Sequence, residues 1–148
     1  MPTVEPALAI ADALVNELNC TKFSREFQAA RSYTPKRELA GTPKLAVDVM
    51  LADMDTSIST RGEDDETHTI AVAFHQRLDN TSNATVDPLI SLVREVHDHC
   101  RKLQLAGARV IGRKMKPRYD LDEMIEHKAF VAFLFLEFKL LYDPEAGQ

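Results

Sequence analysis

The sequence predicts an α+β fold, an antiparallel or mixed sheet of about four to five strands with two amphipathic helices packed on one face. Two observations carry this. Two segments repeat apolar residues at helical spacing, whereas several others alternate apolar and polar residues as half-buried strands do. The second and third strands also follow one another through a polar stretch, which joins them as a hairpin and leaves both helices needing a sheet face to cover.

The expected order is α-β-β-β-α-β-α-β. Pro6 suits the first position of the opening helix; Ala7, Ile10, Ala11, Leu14, Val15 and Leu18 keep a 3.6-residue period, and Asn19 ends it. Phe27, Ala29, Arg31 and Tyr33 then alternate with Gln28, Ala30, Ser32 and Thr34, a strand stopped by Pro35. After a turn region with Gly41 and Pro43, Leu45, Val47, Val49 and Leu51 alternate with Ala46, Asp48 and Met50 as the second strand. Residues 57–66 have no apolar period and read as an exposed loop or long hairpin tip. The third strand sets His68, Ile70, Val72, Phe74 and Leu78 against Thr69, Ala71, Ala73 and Arg77.

Asp87 is expected to cap the second helix and Pro88 to start it, with Leu89, Leu92, Val93, Val96, Cys100 and Leu103 as its apolar stripe. A fourth strand covers 109–115, and a short helical turn covers 121–127. In the last strand Phe130, Ala132, Leu134, Leu136, Phe138 and Leu140 face one way, and Val131, Phe133, Phe135 and Leu141 the other. A strand apolar on both sides belongs in the middle of a sheet, or buries one side against another subunit.

The 148 residues suit a single domain, 1–148, with residues 143–148 expected as a flexible tail. A composition of 45% hydrophobic and 28% charged residues excludes an intrinsically disordered chain. With 18 Lys+Arg against 23 Asp+Glu, the net charge of −5 argues against sequence-wide attraction to DNA or an anionic membrane. Cys20 and Cys100 read as buried free thiols in a reducing compartment. The first residues lack a basic region and include Glu5 and Asp12, unlike a signal peptide, and the longest apolar stretch, 129–136, is too short to span a bilayer; synthesis in the cytosol is expected.

Few residues are spaced for chemistry. His97 and Cys100 share a helix face while His99 points elsewhere, so only two of these ligands converge where a structural zinc needs at least three. Ser57, Ser59 and Ser91 lack a nucleophile elbow, and His68 and His75 fall on opposite faces of one strand. The five glycines form no phosphate-binding loop. Glu63 to Glu66 lacks the spacing of a calcium loop and reads as a solvated tip; Glu123 and Glu126 read as solvated too. No catalytic, metal-binding or cofactor-binding residue is expected.

Charge distribution says more. Arg109, Arg113, Lys114, Lys116 and Arg118 follow with no acid among them, whereas Glu63, Asp64, Asp65 and Glu66, and again 120–126, carry the opposite sign. A mixed-charge surface is the plain reading. The sharper one is head-to-tail complementarity between copies, in which one subunit's basic strand meets the next subunit's acidic loop; such contacts close into rings. Phosphate contact by the basic run is a third reading, weakened by the lack of interleaved aromatics. The candidate interface is Ser59, Arg61, Glu63, Asp64, Asp65, Glu66, Arg109, Arg113, Lys114, Lys116 and Arg118.

From Ala9 to Tyr142 the chain resembles the tail terminator and tail completion proteins of long-tailed bacteriophages and prophages. The likeness lies in an opening IADALVNELN helix, the strand FSREFQAARSYTP, LAVDVML, a polar hairpin with Ser59-Thr60-Arg61-Gly62, HTIAVAFHQRL, the helix DPLISLVREVHDHCRKL and the closing FVAFLFLEFKLLYDP. The resemblance implies a non-enzymatic virion protein, assembled in the host cytoplasm as a ring, usually a hexamer, on the last ring of the tail tube. Such a ring stops tube growth and offers the docking surface for the head's neck proteins, while DNA passes through its lumen without specific binding. Its partners would be copies of itself, the tail tube protein and a head-completion or neck protein. Another neck protein, a head-closure or tail-to-head adaptor, is the neighbouring reading. A small ligand-binding α+β domain is the distant one, and would need His68, His75 and His97 to meet in one cleft.

Overall fold

The computed structural model describes residues 5–33, 44–58 and 64–141, and contains three helices and six strands among them. Helix α1 is Pro6–Cys20. Glu5 caps it, its side chain accepting from the Ala7 amide at 3.4 Å, and Pro6 sits in the first turn, where a missing N–H costs nothing. Ala7, Ile10, Ala11, Leu14 and Leu18 form its buried face. Asn19 does not end the helix; its side-chain amide instead mimics a strand, donating to the Ala29 carbonyl at 3.0 Å and accepting from the Ala29 amide at 2.7 Å. That pair of hydrogen bonds fixes the start of strand β1, Ala29–Arg31. The strand is shorter than its alternating pattern predicts; Tyr33 is exposed, and residues 34–43 lie outside the described residues.

Strands β2, Ala46–Ile58, and β3, Asp64–Arg77, form a long antiparallel hairpin whose tip, 59–63, lies outside the described residues. Helix α2 is Asn83–His99, so it begins earlier than Asp87 and Pro88 suggest. Asn80 Oδ1 accepts from the Ser82 amide at 3.0 Å, the Ser82 hydroxyl at 2.6 Å and the Thr85 hydroxyl at 2.8 Å, and this polar knot starts the helix. Pro88 is tolerated inside at the loss of one early backbone bond. Strand β4, Gln104–Leu105, turns through Ala106 and Gly107, both at positive φ, into β5, Ala108–Lys114. Helix α3, Leu121–His127, is capped by Asp120, whose side chain accepts from the Glu123 amide, and buries none of its residues. Strand β6 is Ala129–Leu140.

The sheet order is β1-β2-β3-β6-β5-β4, six strands where the sequence predicts about four to five; the addition is the two-residue β4. Only β1 and β2 run parallel, so the sheet is mixed. Strand β6 lies between β3 and β5, the interior position its two apolar sides predict. Val49, Val72, Phe74, Phe130, Leu134, Leu136 and Phe138 form a single core with Ile10 and Leu14 of α1 and Leu89, Val93 and Val96 of α2. Both long helices therefore cover one face, called the front below. The back carries Ala71, Ala73 and Val131 beside the stacked rings of Phe133 and Phe135. No helix of the described residues is long and apolar enough to cross a membrane.

Candidate subunit interface

Two irregularities in the sheet decide where the charges go. In β2 the register slips between Leu51 and Asp53. Before the slip, Val47, Val49 and Leu51 face front. After it, Asp53 sits opposite Thr69, Asp55 opposite Thr67 and Ser57 opposite Asp65, so the three acids Asp53, Asp55 and Asp65 share the back. Met54 and Ile58 then share the front, at 54% and 78% exposure. The rungs Thr56–Glu66, Ser57–Asp65 and Ile58–Asp64 lie beyond the last β3–β6 rung, Thr67–Lys139. The ribbon thus projects roughly 10 Å past the sheet before its tip.

His68 secures the ribbon's root. It is buried on the front, with Nδ1 3.8 Å from Glu5 Oε1 and Nε2 3.2 Å from Glu66 Oε1. The angle at Nε2 is too poor for a hydrogen bond. On the back, Lys139 Nζ stands 3.9 Å from Asp65 Oδ1, an exposed pair that contributes little stability.

The second slip lies in β5 between Val110 and Gly112. Simple alternation would put Arg109, Ile111 and Arg113 on one face. The bulge at Ile111 separates them: Arg109 pairs with Lys139 and Lys114 with Phe135 on the back, whereas Arg113 pairs with Leu136 on the front. There its Nη1 donates to the His97 carbonyl at 2.7 Å, satisfying one of the orphan carbonyls at the end of α2. Gly112 beside it leaves room for the Glu137 carboxylate, which a Cβ would approach to 3.2 Å and displace by a few tenths of an ångström. The basic run is therefore not one patch. Arg109 and Lys114 face back, Arg113 clamps α2, and Lys116 and Arg118 are exposed in the loop beyond β5.

The same bulge opens a groove between the end of α2 and the edge of β5, with a volume of about 340 Å³. Arg101 and Lys102 form its helix-side wall and Val110, half-exposed Ile111 and Gly112 its strand side, with His97 and Arg113 completing the lining. Nearby, the His97 ring and then Arg94 hydrogen-bond Asp98 and hold its carboxyl below the ordinary carboxylate range.

Of the candidate residues, Ser59, Arg61 and Glu63 lie outside the described residues, and Asp64 is placed by its backbone alone. Asp65 and Glu66 do project on the ribbon. The residues that complete the two charged surfaces, Asp53, Asp55, Arg101 and Lys102, escape a reading by charge runs. Asp53 and Asp55 alternate with neutral residues, and Arg101 and Lys102 come from another element; two cations just past a helix end were the available signal.

The histidines do not converge. His68 is buried on the front of β3, His75 sits on its back, and His97 borders the groove. His99 pairs with Glu17 of α1 at 2.9 Å. Among the described residues no three His, Cys, Asp or Glu side chains are grouped to hold a metal. Cys100 is buried, as expected, and its thiol is pushed up to about 12 by burial; Cys20, expected to be buried, is instead exposed at the last residue of α1. No family model matches the chain, and no curated protein matches it.

Proposed function

We propose that this chain is a subunit of a ring, hexameric as in the tail terminators it resembles, that caps a bacteriophage tail tube, ends its growth and presents the surface to which the head docks. One observation carries the reading: an acidic ribbon projects from the β2–β3 half of the sheet, and a basic groove opens at the β5 edge on the other half. Unlike surfaces on the two halves of the sheet join head to tail, and repetition of one such contact closes a ring when the rotation from copy to copy divides a full turn. The net charge of −5 suits a lumen through which DNA slides without sticking.

The test is to add the purified protein to polymerising tail tube subunits and measure tube lengths by electron microscopy. Tubes that stop short, each with a ring at one end, are the expected result. An unchanged length distribution with bare ends contradicts the reading. Unchanged tubes together with binding to the head's portal-side protein would assign the chain to the head-closure or adaptor role instead.

A further inference from the structure

We propose that the β2–β3 ribbon of one copy docks into the α2–β5 groove of the next, so that the occupant of the groove is a second copy of this chain. The inference rests on the ring reading and names its contact. The ribbon has two unlike faces: the front carries exposed Met54 and Ile58, with Thr56 and Glu66 between them and the Glu66 carboxylate turned back to His68, and the back carries Asp53, Asp55 and Asp65. The groove has two unlike walls: half-exposed Ile111 on the strand side, and Arg101 and Lys102 on the helix side. A ribbon entering the groove lays its apolar face on Ile111 and turns its carboxylates toward the two cations. Strand order keeps the ribbon from its own groove, because β6 and β5 stand between β3 and the groove edge.

The apolar match separates this occupant from a nucleic-acid phosphate. Phosphate would use the cations and leave Ile111, Met54 and Ile58 bare. Arg113, the most inward of the cations, is already committed to the His97 carbonyl. Charge complementarity across such a contact sets which partner is chosen and how fast it is met, and the exposed apolar side chains supply the burial.

Sedimentation velocity on the full chain tests it, with one variant carrying Asp53→Lys and Asp55→Lys and another carrying Arg101→Glu and Lys102→Asp. All four positions are exposed, so both variants are expected to fold, which thermal melts verify. Wild type is expected to associate with concentration, each variant to associate at least tenfold more weakly, and a chain combining all four changes to recover. Rising salt should weaken wild-type association.

Wild-type association indifferent to both reversals and to salt overturns the contact while leaving tube capping open. A wild type that stays monomeric at every concentration overturns it as a contact between free copies, and tube capping by that monomer would still support the ring reading. Binding of a 30-base-pair DNA duplex that Arg101→Glu and Lys102→Asp abolish, without self-association, overturns it in favour of a phosphate site.

Discussion

The two halves of the β2–β3 hairpin are one continuous ribbon with opposite tasks. In the inner half Val47, Val49, Val72 and Phe74 are buried under the helices. In the outer half, past the slip at Leu51, every described residue of β2 is exposed and the ribbon extends past β6. Strand pairing resumes after the one-residue slip; what changes is whether the helix layer lies on it. Burial of side chains stabilises the inner half, whereas the outer half is held by the pairing of its two strands, by the β6 rungs up to Thr67 and by His68 at its root near the start of α1. A segment with so little burial suits contact with a partner better than support of the fold.

Substitutions should separate the halves. Phe74→Ala, in the fully buried inner half, should cost about 3–5 kcal/mol in urea unfolding. A loss below 1 kcal/mol would mean that the helices do not pack as described. Asn19→Ala removes both bonds to the Ala29 backbone and should cost about 1–2 kcal/mol, with amide exchange accelerating at Ala29 to Arg31 before the rest of the sheet.

A pH titration probes the body beneath the helices. The buried Cys100 thiol rises from its ordinary 9.0 to about 12. Below pH 9 it is neutral in both states and its contribution is fully present; as pH climbs from 9 toward 12, the unfolded thiol ionises first and stability is lost. At pH 10 wild type should have lost about 1.4 kcal/mol relative to Cys100→Ala followed over the same range. Parallel pH curves would show that the thiol is not buried.

In the outer half Ile58→Asp should change stability by no more than about 0.5 kcal/mol. Its readout is self-association, which it should weaken. Removal of residues 59–65 should likewise leave the fold intact and block tube capping. Loss of solubility would instead make that segment part of the fold.

These halves were unequally legible in the sequence. Wherever one face meets the core, apolar periodicity marks the element, and so α1, α2, the inner hairpin and β6 are visible. The outer hairpin has no core face. Its strands show no sustained apolar alternation, and residues 57–66 read as loop or tip although both strands extend into them. The start of α2 was hidden because Asn80, Ser82 and Thr85 act through polar bonds that no hydrophobic period records. The candidate interface was half legible. Charge runs pointed to Asp65, Glu66 and the basic strand, but single-residue slips at Leu51 and Ile111 reassign faces, and nothing in a charge count reveals a slip.

The central claim is that unlike edges of this chain join head to tail into a closed ring. Native mass spectrometry across a concentration series tests it most directly. The account predicts a single closed species of six subunits growing in at the expense of monomer, with no unbounded series above it. A dimer that persists as the end point at every concentration, the signature of a two-fold contact between like surfaces, would contradict it.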